Sequence, residues 1–295
     1  MSDRGRIRPA ELAWSAVAVI LLAVVALVTY ALTHVTTPAA VSQTARTSPA
    51  VLATLSNVRP STFDEVGVTV PGADPTAPRV VTPPAPRSSG GRPEVLAVGA
   101  EYCPFCAAER WPLVVALARF GRFTLLHDAA SSAQSVFPGT PTFSFAAVRY
   151  TSAYVTFTGV ELFSDQIGAD GSFIRIATLT PGQAALVARY GAGGVPVTAP
   201  FVDVAGRLVT TTSAFSPALL AGKSQSQIAA EVAEPRNPAS DTASDPPTGQ
   251  AIVAAANQLS AGICAATGQQ PAAVCRSKGV RTADQSLGLA APPAA

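Results

Sequence analysis

The chain has 295 residues, 48% of them hydrophobic, 13% charged and 26 of them proline, which suits one ordinary folded domain with extra segments better than two full domains. The formal net charge is only +2, and no Lys/Arg run or alternation of aromatic and basic residues occurs. A nucleic-acid surface is therefore disfavoured.

Residues 1–11 form a short basic tail with Arg4, Arg6 and Arg8. The run from Leu12 to Leu32, "LAWSAVAVILLAVVALVTYAL", has no charged side chain, and at about 1.5 Å of helix rise per residue it crosses a hydrocarbon layer of roughly 30 Å. Residues 12–34 are thus expected to be a transmembrane anchor, with Trp14 and Tyr30 as interfacial residues. Arginines precede the span and none follows until Arg46, so the amino terminus stays in the cytoplasm and the rest lies outside: a single-pass protein of the cell membrane. A cleaved signal peptide is the alternative, but its apolar core is usually about 7 to 15 residues long.

Residues 35–51, rich in Thr, Ala, Ser and Pro, read as a flexible linker, and an extracytoplasmic domain is expected over residues 52–280. In "RPSTFDEVGV", Ser61 or Thr62 is expected to cap a helix. After a Pro-rich loop comes "VLAVGA", Val95 to Ala100, the pattern of a strand buried on both faces. A helix is expected next, with Cys106, Leu113, Val114 and Leu117 on its buried face, Trp111 on the other side, and a kink at Pro112.

"RFTLLHDA" reads as a strand beside the first, and "TFSFAAVRY" and "YVTFTGVELF" as two further strands, antiparallel to one another, in an insertion of open placement across residues 131–180. "TPGQAALVARYG" carries Thr180 and Gln183 as a capping box, Pro181 at the first helical position and Gly191 beyond the end. "APFVDVAGRLVTT" reads as two short strands about a turn at Ala205 and Gly206. Two more helices follow, "SQSQIAAEVAE" with Ser224 and Gln227 as its box, and "QAIVAAANQLSAGICAATG". Residues 281–295 are expected to be a disordered tail.

The chemistry concentrates in "CPFC", where Cys103 and Cys106 lie three residues apart at the expected helix start. Unpaired N–H groups and the helix dipole stabilise a thiolate there, so Cys103 is expected to be the solvent-exposed attacking thiolate and Cys106, behind it, the resolving thiol. A structural bridge or half a metal site is the bland alternative. Metal fits poorly because Cys264 and Cys275 stand far along the chain with no histidine nearby, so neither a metal nor a prosthetic group is expected. Cys264 and Cys275 are expected to form a permanent disulfide that clips the last helix to the following loop. His34 reads as an interfacial residue and His127 as a core or edge histidine. Glu101 and Glu109 flank the dithiol as candidate proton relays, although solvated carboxylates are the ordinary reading.

"VLAVGAEYCPFC", a helix with an internal proline and the later "TAPFVDVAGR" together resemble the thioredoxin superfamily. More closely, "GAEYCPFCAAERWPLVVALARFG", "PGTPTFSFAAVRYTSAYVTFTGVEL" and "AANQLSAGICAATG" resemble a prokaryotic thioredoxin-like family catalogued as domain of unknown function 929, over about residues 52 to 276. The resemblance implies an α/β fold: a thioredoxin-like sheet with flanking helices and a β-rich insertion. It also implies a substrate-binding strand led by a cis-proline facing the dithiol; Ala199 and Pro200 match best, Val195 and Pro196 second. The buried Asp that thioredoxins place six residues before the first cysteine is absent, Ala97 standing there, and Pro-Phe lacks the histidine of strongly oxidising relatives, which leans toward a reductant or moderate exchanger.

The expected function is a membrane-anchored thiol-disulfide oxidoreductase acting on cysteines of exported or membrane proteins, with a redox partner that recycles the dithiol. The alternative is a redox-inert binding module of the cell envelope, with the dithiol as a stable clip and strand addition as its binding mode.

Overall fold

The structure, a computed structural model, describes residues 24, 45–70, 76–191, 199–235 and 247–289. The chain divides into two compact units, residues 1–43 and 44–295; the strands, the dithiol and the helices around them belong to the second. Among the described residues no helix is long and apolar enough to cross a membrane. The anchor expected at residues 12–34, His34 included, lies outside them except for Val24.

Order begins earlier than Leu52. The Thr47 N–H donates to the Leu126 carbonyl (3.0 Å) and the Asp128 N–H to the Ala45 carbonyl (2.8 Å), and helix α1 (Pro49–Ser56) follows, capped by Ser48. Helix α2 (Pro60–Val66) places Pro60 at its first position, where the missing N–H costs nothing; Arg59 is the N-cap, so Ser61 and Thr62 sit inside the helix rather than capping it.

The central sheet runs β1 (Arg79–Val80), β10 (Leu208–Thr210), β9 (Phe201–Val204), β3 (Arg92–Gly99), with β2 (Ser88–Ser89) paired to the start of β3 and β6 (Thr156–Glu161) on its remaining side. β3 is antiparallel to β9, with Val98 opposite Phe201, and parallel to β6, with Gly99 opposite Glu161. Alternation along β3 divides the core. Val95 and Ala97 face the larger cluster with helices α3 (Pro104–Ala118) and α6 (Thr248–Ala266), while Leu96 and Val98 pack with Phe201, Leu162 and Val187 on the other face, under α4 (Pro181–Tyr190).

β9 and β10 join through Ala205 (φ 49°), Gly206 (φ 67°) and Arg207; the two left-handed residues make the tight turn that the Arg207 N–H closes on the Val204 carbonyl at 2.8 Å. A Cβ at Gly206 would stand 1.7 Å from the Ala85 carbonyl oxygen, so only glycine fits. The capping boxes of α4 (Thr180, Gln183) and α5 (Gln225–Ala233; Ser224, Gln227) are both formed.

The β-rich insertion differs from expectation. β4 (Gly121–Ala130) and β5 (Pro141–Ser152) form a separate antiparallel pair, and β6 leaves β5 to join the central sheet parallel to β3. Helix α3 plus this hairpin gives the long crossover that a parallel strand pair needs. β7 (Phe163–Ile167) and β8 (Phe173–Arg175) make a third, smaller pair. His127 lies half-buried on β4, bridged to Arg46.

Helix α3 runs through Pro112 to Ala118 without interruption, and Trp111 is as deeply buried as the face opposite, packed on Phe143 with its ring N–H donating to the Pro141 carbonyl at 2.9 Å. Helix α6 is buried from Thr248 to Cys264 and beyond, in contact with α2, α3, α5 and β9. Its Asn257 donates to the Phe63 and Gly67 carbonyls, both at 2.8 Å, and accepts from Arg119 at 3.1 Å. Helices α7 (Ala272–Cys275) and α8 (Lys278–Leu287) close the chain. α8 buries Val280 and Ala283, which carries ordered structure past residue 280 into the segment expected to be a tail.

Candidate functional site

Strand β3 ends at Gly99, and the chain turns through Ala100, Glu101 and Tyr102 into α3. Cys103 is the N-cap and Pro104 the first helical residue, so the dithiol stands at the strand-to-helix junction. The Cys103 sulfur accepts the Cys106 N–H at 3.2 Å, the part that a capping oxygen usually plays. Cys103 and Cys106 are unbridged.

The two thiols differ. Hydrogen bonding from Cys106 lowers the Cys103 pKa below the ordinary thiol value, against the opposing effect of burial, and the Arg110 charge adds to the lowering. Burial raises Cys106 well above that value, and Arg110 opposes the rise. The amides that the helix start supplies therefore favour charge on Cys103.

Cys103 is not solvent-exposed as expected: it is 1% exposed and Cys106 2%. The cover is partly local, from Tyr102 and Phe105, and partly from residues distant in the chain, which local patterning does not connect to the dithiol. Tyr102, Phe105 and Phe163 pack on the two cysteines and Ala100. The Tyr102 ring stacks on Phe173 of β8, with centroids 3.9 Å apart, and Phe105 meets Phe137 edge-on at 5.9 Å. Backbone bonds fasten this cover: the Glu101 N–H donates to the Phe163 carbonyl (2.9 Å) and the Ser132 N–H to the Tyr102 carbonyl (3.1 Å). Beyond it, Val136 stands 77% exposed.

Both flanking carboxylates are buried rather than solvated. Glu101 accepts from the Ser144 hydroxyl, and burial raises its pKa. Glu109 accepts the Ala214 N–H at 2.9 Å, and burial pushes its pKa up to about 8. Glu109 and Cys106 line one pocket of about 10 Å³ with Gly99, Arg110, Glu161 and Pro200.

Arg110 and Glu161 are the residues that sequence reading missed. Arg110 Nε and Nη2 donate to the two Glu161 carboxylate oxygens at 2.9 and 2.6 Å, and Nη2 also donates to the Ala100 carbonyl at 2.9 Å. The available signal was Arg110 itself, a cation one helical turn beyond Cys106 in a segment otherwise apolar apart from Glu109.

Pro200 stands at the head of β9 and lines the same pocket as Cys106. Its bond to Ala199 is not cis: the cis peptides among the described residues are Thr82–Pro83 and Gln270–Pro271. A trans linkage is the default even before proline, and here it feeds directly into the extended β9. Val195 and Pro196 lie outside the described residues. Cys264 and Cys275 form a disulfide between α6 and α7, with Cα atoms 5.5 Å apart. No group of three or more His, Cys, Asp or Glu among the described residues is arranged to hold a metal ion.

No curated protein and no solved structure matches the chain. A family model described as Domain of unknown function (DUF929) matches residues 80–265, the span from β1 to the end of α6, with the dithiol and its Arg110–Glu161 backing inside it. The chain therefore belongs to the DUF929 family.

Proposed function

We propose that this chain is a thiol-disulfide oxidoreductase of thioredoxin-like fold, held at the outer face of a membrane by residues 12–34. The asymmetry of the thiols carries the reading: Cys103 caps a helix and accepts an N–H that lowers its pKa, while Cys106, one turn deeper, is raised by burial. That is the division between an attacking and a resolving sulfur. The order of elements agrees: buried strand, dithiol, proline-containing helix, and a proline-led strand pairing with the first beside the thiols. The Cys264–Cys275 disulfide suits an oxidising compartment.

Exchange is reversible; written in the reducing direction, the Cys103 thiolate attacks a substrate disulfide and releases one substrate thiolate, leaving a mixed disulfide. Cys106 gives its proton to a base, attacks Cys103, and releases the second substrate thiolate. Glu109, which shares the pocket and has a pKa of about 8, is placed to hold that proton in place of the carboxylate missing at Ala97. Substrate reaches Cys103 only when the aromatic cover moves aside.

That burial favours a second reading, a redox-inert binding module in which the enclosed pair takes no part in exchange. A Cys106→Ala variant separates them. Accumulation of mixed disulfides through Cys103, with exported proteins or a model disulfide, supports exchange. A Cys103 that neither alkylates nor forms adducts while the protein stays folded supports the module and overturns the enzyme.

A further inference from the structure

Arginine and glutamate buried together add little to stability, because desolvation offsets most of their attraction, so the Arg110–Glu161 pair calls for another explanation. Its position supplies one. Gly99 has no side chain, and a Cβ there would stand 3.4 Å from the Cys106 sulfur and 3.5 Å from Arg110 Nη2; the sulfur and the guanidinium crowd the same point on β3. The fork to Glu161 and the bond to the Ala100 carbonyl fix the guanidinium, so it cannot swing out to solvent. Its third nitrogen, Nη1, is buried with no hydrogen-bond partner. The fold thus holds a guanidinium, one of its nitrogens buried without a partner, close to the resolving cysteine, in surroundings where charge is weakly screened.

We infer that Arg110 is the counter-charge of the dithiol, and that it makes the Cys103–Cys106 disulfide a donor that oxidises protein thiols. The inference rests on the oxidoreductase reading and fixes its direction. A cation stabilises a thiolate but not an uncharged disulfide, so it favours the reduced pair and makes the disulfide the stronger oxidant. This outweighs the lean toward a reductant suggested by Pro-Phe, since the positive charge comes from the next turn of the helix instead of from between the cysteines.

A substrate thiolate attacks Cys103 Sγ of the disulfide, the bond to Cys106 breaks, and Cys106 leaves as a thiolate beside Arg110. A second substrate thiolate attacks the substrate sulfur of the mixed disulfide, and Cys103 leaves in turn. The substrate loses two electrons and two protons and gains a disulfide; the pair gains the electrons, and an external protein disulfide restores it by the reverse exchange. Better leaving-group stabilisation at Cys106 also speeds the first step.

The test compares the full chain in detergent micelles as wild type, Glu161→Gln and the double variant Arg110→Gln/Glu161→Gln, equilibrated with reduced and oxidised glutathione. Glu161→Gln leaves the guanidinium uncompensated and shifts the equilibrium toward the reduced dithiol relative to wild type. Adding Arg110→Gln shifts it back toward the disulfide by at least tenfold, equal to about 30 mV for a two-electron couple, and raises the pH at which Cys103 alkylates. The double variant removes both buried charges, so its fold is retained, which thermal unfolding checks. Constants within twofold of one another for these two variants, or a shift of the opposite sign, overturn the role of Arg110 while leaving exchange intact. If no variant, wild type included, forms a Cys103–Cys106 disulfide in oxidised glutathione, the oxidoreductase reading falls, and this inference with it.

Discussion

Tyr102 and Phe173 lie face to face with ring centroids 3.9 Å apart, so the residue before Cys103 is fastened to the β7–β8 hairpin. Aromatic contacts of this kind are worth about 0.5–1.5 kcal/mol beyond the area they bury. Phe173→Ala should therefore open the cover more often and speed alkylation of Cys103 by roughly 2- to 10-fold, with the thermal midpoint little changed. Rates with a small and a bulky maleimide measure it, and the bulky reagent should gain more.

Glu109 gives a pH signature. Its pKa is about 8 in the folded protein against 4.5 ordinarily, so between those values the native state holds a proton that the unfolded chain releases. Stability contributed by that proton is complete below about pH 4.5 and is lost as pH rises through 8, with a slope of up to about 1.4 kcal/mol per pH unit. Urea unfolding at pH 5, 6, 7 and 8 should show this decline in wild type. Glu109→Gln should flatten it.

The Cys264–Cys275 bridge closes a short loop, with a sequence separation of 11. Cross-links of this span stabilise by about 2–4 kcal/mol, mainly through the unfolded chain. Replacing both cysteines with alanine should lower the unfolding free energy by that amount and leave Cys103 alkylation rates unchanged. A larger effect on Cys103 would mean that α6 positions the dithiol helix more rigidly than its packing implies.

Asn257 satisfies two carbonyls of the α2 end and one guanidinium N–H, all remote in sequence. Asn257→Leu leaves those acceptors buried without a donor, at about 1–3 kcal/mol each, and also adds bulk. A loss of roughly 2–5 kcal/mol is expected by urea titration. Asn257→Asp, which keeps the size but not the donor, should fall in the same range.

What the sequence disclosed was mostly local. Thr180 with Gln183 and Ser224 with Gln227 announce their helices because a capping box spans only four residues, and Ala205-Gly206 announces its hairpin for the same reason. The dithiol was legible because a strand, two cysteines and a proline at the first helical position are contiguous. Pairing partners were not: "YVTFTGVELF" shows that β6 is a strand, but periodicity carries no information on whether it joins β5 or β3. The linker hid Ala45 and Thr47 for a related reason, since their bonds to β4 run to residues some eighty positions away. Glu101, Glu109 and Arg110 look like surface charges by type, and only tertiary packing decides that a helix is enclosed all round.

Helix α6 touches α2 near the start of the domain, α3 that carries the dithiol, and α5 just before it in sequence. On the proposed route across a membrane the chain arrives amino end first, so residues 45–235 emerge with this central helix still missing, and α3 lacks one wall of its socket. The contacts of α6 with α2, α3 and α5 form only once residues 248–266 have emerged, because they span long sequence separations. Until then α3 lacks the wall that α6 supplies, and Cys275 follows later still in the chain. On that proposed route, the order of emergence sets burial of the first two thiols in competition with their oxidation.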